Sequence, residues 1–141
     1  MESYYKDIYI SRKIDKSKIG EIVSLLHKSE WANEREDMKI EKSIENSYCY
    51  IACTKENKIV GFARIITDFV TTFYLMDVIV EEAYRGHGIG KMLMDTIMED
   101  VGDLYGILHT DSAQRFYEAY GFIVTSTSGS GESIMERRKG R

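Results

Sequence analysis

The 141-residue chain is predicted to be an α/β sandwich, with helices laid on a mixed and largely antiparallel sheet. Three observations carry that prediction. Apolar periodicity alternates between the strand and helix repeats in the order β-αα-βββ-α-β-α-ββ. One strand, "FVTTFYLMDVIV" at 69–80, is close to continuously apolar, so both of its faces are expected to be covered. Directly after it comes a glycine-rich loop, and then a long amphipathic helix.

The elements follow in order. "SYYKDIYISRKI" at 3–14 mixes aromatic and β-branched residues and reads as a first strand. "DKSKIGEIVSLLHKSE" at 15–30 sets Ile19, Ile22, Val23, Leu25 and Leu26 at helical spacing, with Asp15 as cap. "EREDMKIEKSIENS" at 34–47 is a charged helix whose apolar stripe is Met38, Ile40 and Ile44. "YCYIACTKENKIVGFARIIT" at 48–67 reads as two strands around a Lys-Glu-Asn-Lys turn. In the helix after the glycines, Ile89, Leu93, Ile97 and Val101 make an apolar ladder, while Lys91, Asp95 and Glu99 make a solvent ladder. "DLYGILHT" at 103–110 is a short strand, and "SAQRFYEAYG" at 112–121 a short helix stopped by Gly121. "FIVTS" and "SIMERR" close the chain as strands around a mobile loop, "TSGSG". No repeat and no linker interrupts the order, so one domain over 1–141 is expected.

Composition narrows the function. A net charge of -4 argues against nucleic-acid binding, which draws most of its affinity from a basic face. No apolar run approaches the ~20 residues of a membrane span. "MESYYKDIYI" lacks the basic-then-apolar order of a signal peptide, which points to the cytoplasm. Cys49 and Cys53 share one face of a strand ~13 Å apart, too far for a disulfide and wrong for zinc, so both are expected as reduced core thiols and no metal site is expected.

The chemistry is expected in "EEAYRGHGIGKMLMDTIMED" at 81–100. No Ser, Thr, Asp or Asn lies between Tyr84 and Gly90 to cap the helix, so its first N–H groups lack an evident partner. The helix dipole adds partial positive charge there, and Arg85 and Lys91 bracket the loop. This describes an anion cradle, with a plain strand-to-helix turn as the alternative. A P-loop fails on spacing, because Arg85 stands where its first glycine belongs and Met92 follows Lys91. A dinucleotide fingerprint fails because its third glycine would fall on Lys91.

The spacing that fits is Arg85-x-x-Gly88-x-Gly90 after a long apolar strand. With it, the sequence resembles the GNAT superfamily of acyl-CoA-dependent N-acetyltransferases, whose signature is Q/R-x-x-G-x-G/A. A second motif agrees: "DSAQRFYEAYGF" looks like the family's A-x-x-F-Y-x-x-x-G-F segment, here Ala113, Phe116, Tyr117, Gly121 and Phe122. The resemblance covers roughly residues 4 to 138 and implies the GNAT acyl-CoA N-acyltransferase fold.

It also implies a set of roles. Backbone N–H groups of Arg85, Gly86, His87, Gly88, Ile89, Gly90 and Lys91 would hold the diphosphate of acetyl-CoA, with His87 a phosphate neighbour or merely exposed. Val78, Ile79 and Val80 would pair with the pantetheine arm as if it were an added strand. Near that strand a backbone N–H could stabilise the developing oxyanion. Tyr117 matches the family's proton donor to the departing sulfur, the alternative being one of ten tyrosines packing a helix face, the reading preferred for Tyr120. The pantetheine-binding asparagine of many members is replaced by Thr110.

An alkyl amine with a pKa near ~10.4 must lose a proton before it attacks. Asp77, interrupting an apolar strand, is one candidate base. A turn near Asp68-Phe69 places Arg64 across the hairpin, so a structural Arg64–Asp77 pair is an equal alternative, and ordered water a third. Trp31, the lone tryptophan, sits among Glu30, Glu34, Glu36 and Asp37. It would either bind a cationic amine through its ring or cap the core between helices. The expected function is acetyl transfer from acetyl-CoA to the primary amine of a small molecule, with a homodimer as a possible assembly. Alternatives are a non-catalytic acyl-CoA sensor and a protein or peptide N-acetyltransferase.

Overall fold

A computed structural model describes residues 7–138. Its strands join in one seven-stranded sheet of order β1-β2-β3-β4-β5-β7-β6. They are β1 Tyr9–Ser11, β2 Tyr48–Cys53, β3 Ile59–Thr67, β4 Thr72–Val80, β5 Tyr105–Thr110, β6 Ile123–Thr127 and β7 Ser133–Arg137. The helices are α1 Ile19–His27, α2 Asp37–Glu45, α3 Ile89–Val101 and α4 Gln114–Glu118. The element order is the one expected. Only β4 and β5 run parallel, as a mixed and mostly antiparallel sheet requires. The first part of the expected opening strand, residues 3–6, lies outside the described residues.

Two apolar layers flank the sheet. Ile89, Leu93, Met94, Ile97 and Val101 of α3 pack on one face with Ala63, Ile65, Phe73 and Leu75. Ile22, Leu25 and Leu26 of α1 and Ile40 and Ile44 of α2 pack on the other with Cys49, Ile51, Phe62 and Ile79. Met38 does not join them: it is exposed, so the α2 stripe is narrower than expected. Asp15 accepts from the Ser17 N–H and caps a 3-10 turn, Lys16–Lys18, rather than α1 itself. Cys49 and Cys53 are buried free thiols, as expected. The 127–131 loop closes as a hydrogen-bonded turn rather than a loose one, with Gly131 N–H on Ser128 O and the Ser130 hydroxyl on Glu132.

β4 differs from expectation in a way that builds the site. Both of its faces are covered as expected, but its residues alternate between half-buried and buried, whereas β3 is buried through most of its length. Ala63 pairs with Val78, but Ile65 pairs with Leu75, so one extra residue is inserted in β4 opposite Arg64. Such a bulge reverses the facing of every later side chain. Phe73 and Leu75 therefore face α3, while Asp77 and Ile79 face α1 and α2. β4 pairs with β5 only from Thr72 to Tyr74, and beyond that point the two parallel strands part.

Candidate active site

On one side of that opening stands the glycine loop. Gly86 and Gly88 take left-handed φ values of 81° and 88°, a region costly to any residue with a Cβ. Space is not the constraint at Gly88, since an added Cβ would meet nothing within 4 Å. Gly88 is the N-cap of α3, and no side chain caps the helix. Its first N–H groups and its dipole therefore face the loop's mouth. The Arg85 Nε donates to the Val80 carbonyl at 2.9 Å, folding the loop back on the end of β4. The Lys91 ammonium holds Asp95 at 2.8 Å in a solvent-exposed pair that exchanges readily. On the side of β4 that faces the opening, no strand pairs with Val78, Ile79 or Val80.

α4 closes this side. A Cβ at Gly90 would lie 3.4 Å from the Phe116 ring, so the missing side chain lets α4 approach the first turn of α3. Tyr117 follows, its ring edge-on to Phe116 and Phe122, and it is buried against the α3 face. Burial alone pushes its hydroxyl up to about 12, which keeps it a proton donor at neutral pH. Tyr120 is half-buried and packs on Phe116. The Thr110 hydroxyl accepts from the Ala113 N–H at 3.0 Å and so holds the start of α4.

On the opposite face, side chains make the site. Asp77 is 2% exposed, and its Oδ2 accepts from Arg64 Nε at 3.0 Å and Arg35 Nη1 at 3.1 Å. Its Oδ1 accepts from the indole N–H of Trp31 at 3.2 Å. Burial opposes the charge on Asp77, but the bonds and charges of Arg35 and Arg64 outweigh it and hold the carboxyl below its usual range. Arg64 also donates from Nη1 to the Ser47 hydroxyl at 3.0 Å. The expected Arg64–Asp77 pair is thus present, made possible by the bulge that turns Asp77 to the side of Arg64. Trp31 does not cap the core: it is 52% exposed beside this cluster.

Arg35 was not among the expected site residues. Its one signal was a lone cation in the acidic run "NEREDM". Nor was the other wall of the open face foreseen. There His109 lies 5.7 Å from the Tyr74 ring and 3.7 Å from Glu132, whose Oε1 also accepts from Ser130.

A family model described as an acetyltransferase (GNAT) domain matches residues 45–124, which spans the bulged strand, the glycine loop and α4. A solved GNAT-family acetyltransferase of Xanthomonas campestris pv. campestris is 33% identical, covering 84% of this chain and 85% of its own, with a TM-score of 0.75. The PaiA N-acetyltransferase of Thermoplasma acidophilum, solved with coenzyme A, shares the fold at 20% identity, over 93% of this chain and 98% of its own, with a TM-score of 0.69. Among curated relatives, the uncharacterized N-acetyltransferase ycf52 of Gracilaria tenuistipitata var. liui is 29% identical over 94 residues, 60% of this chain and about half, 51%, of its own length. A shared fold, a matched site segment and a relative aligned over most of both chains together place this chain in the GNAT family of acetyltransferases.

Proposed function

We propose that the chain is an acetyl-CoA-dependent N-acetyltransferase that acetylates the primary amine of a small molecule by direct attack on the thioester. The observation that carries this reading is the junction of two features. The parting of β4 from β5 beyond Tyr74 leads directly to an uncapped helix held open by left-handed glycines. A diphosphate fits the loop from Arg85 through Gly86, His87, Gly88, Ile89 and Gly90 to Lys91, where α3 begins at Gly88 with no side-chain cap. The unpaired side of Val78, Ile79 and Val80 fits the amide arm of the coenzyme.

Acetyl-CoA supplies the activated acyl group. As the amine nitrogen bonds to the carbonyl carbon, the carbon–sulfur bond breaks, and Tyr117 donates a hydrogen bond and then its proton to the leaving sulfur. Tyr117 recovers a proton from solvent. Asp77 serves the reaction as a fixed anion: a base must rise towards neutrality, whereas Arg35 and Arg64 hold this carboxyl down. The amine's proton leaves through water. Trp31 lines the acceptor side, where its half-exposed ring is available to the substrate.

The buried free thiols support a reducing setting such as the cytoplasm. No helix among the described residues is long and apolar enough to cross a membrane. The edge strand β6, exposed throughout and carrying Ile123 and Val124, supports pairing of two copies. Release of free thiol from acetyl-CoA, followed over a panel of amines, tests the reaction. Turnover is expected with at least one amine. Saturable coenzyme A binding with no thiol release from any amine would instead identify a sensor.

A further inference from the structure

We infer that the acceptor carries a carboxylate as well as its amine, and that Arg35 is the residue that receives it. The inference rests on the transferase reading above and names its substrate class. The cluster around Asp77 is unbalanced: Arg35 and Arg64 share one carboxylate oxygen, and among the described residues no second anion joins them. Arg64 has an 8% exposed side chain with Nε and Nη1 already committed to Asp77 and Ser47, so it cannot reach outward. Arg35 differs. Its side chain is 35% exposed, only Nη1 is committed, and its other donors have no acceptor among the described residues. A half-desolvated guanidinium with spare donors is matched by a carboxylate, which takes two parallel bonds from it.

Position supports the same class. Asp77 lies just past the last β4–β5 pair, on the face turned by the bulge, so an anion held at Arg35 keeps the rest of its molecule near the opening. Trp31, bound to the same Asp77, offers an exposed ring to the acceptor's apolar part. A diamine would set its second ammonium against Arg35. The acids that pointed to a cationic acceptor do not alter this: Glu30, Glu34 and Glu36 are exposed, and Asp37 is bound to His27 at 2.6 Å.

The test compares glycine, β-alanine, 4-aminobutyrate and lysine with methylamine, ethylamine, propylamine and cadaverine, their counterparts without the carboxylate. Thiol release gives kcat and KM, and the emission of Trp31, the lone tryptophan, reports binding without acetyl-CoA. At least one carboxylate member is expected to exceed its counterpart by about tenfold or more in kcat/KM, mostly through KM, as one charge-assisted hydrogen-bonded contact allows. Arg35→Gln should abolish that preference, and Arg35→Lys should restore part of it. Counterparts that do as well in the wild type, or an Arg35→Gln loss equal for both members, would overturn the inference. A saturable Trp31 shift with a carboxylate but no acetylation of any amine would keep the anion site and remove the transferase reading. No shift with any carboxylate overturns the anion site, whatever the turnover.

Discussion

The two sides of β4 are built from different materials. The proposed coenzyme side is main chain: left-handed glycines, an uncapped helix end and an unpaired strand edge. The proposed acceptor side is side chain: Trp31, Arg35 and Arg64 converging on one buried carboxylate. A main-chain site depends on which conformations its residues can adopt, and few substitutions preserve it. A side-chain site depends on charge balance, and one substitution can redirect it with the fold intact. The two sides should therefore fail differently.

The largest effect is expected on the acceptor side, in stability. Asp77→Asn leaves Arg64 buried without its anion and should cost about 3–5 kcal/mol, read from denaturant melts. The folded fraction should still bind coenzyme A; joint loss of both would show that the two sides are not separable. The pH dependence has a definite sign. The folded carboxyl of Asp77 lies below its unfolded value near ~3.9, so its contribution is complete above that value. It is lost as pH falls through the lower folded value, and the gap between wild type and Asp77→Asn should narrow in strong acid.

Next comes Tyr117→Phe, expected to lower kcat about 100-fold while coenzyme A affinity holds. Because burial raises the hydroxyl to about 12, its ionisation should leave no alkaline limb in the rate profile between pH ~7 and ~10. A fall in that range that disappears in Tyr117→Phe would contradict the raised pKa, and a kcat unchanged in Tyr117→Phe would remove the donor role. Smaller still is Trp31→Phe, which deletes one hydrogen bond to Asp77 from a half-exposed side chain. A cost of about 1 kcal/mol or less is expected, with any kinetic change in the acceptor KM alone. A change confined to coenzyme A affinity would place Trp31 on the wrong side.

How far each side could be read from sequence follows from the same contrast. The element order came through because its apolar repeats are local. Ile89, Leu93, Ile97 and Val101 declare α3, and all four are buried in it. The shape of the glycine loop came through because glycine at a left-handed position has few substitutes, so Gly88 and its spacing to Arg85 and Gly90 mark the loop. The cluster on the other face came through only in part: the Arg64–Asp77 pair was expected, and Arg35 was not. "YLMDVIV" carries no residue that announces a bulge, so the switch of faces between Leu75 and Asp77 is invisible until strands are paired. Arg35 was hidden among acids because what it touches lies 42 positions away on another element.

The most direct test of the account is calorimetric titration of coenzyme A, and separately of pantetheine, into wild-type protein and Gly88→Glu. One saturable coenzyme A site is expected. Pantetheine, lacking the diphosphate, should bind far more weakly, and Gly88→Glu should weaken coenzyme A at least about 100-fold, or ~2.7 kcal/mol, by straining the turn and setting a carboxylate in the cradle. Equal affinity for pantetheine and coenzyme A, or a folded Gly88→Glu protein that binds coenzyme A as the wild type does, would contradict it.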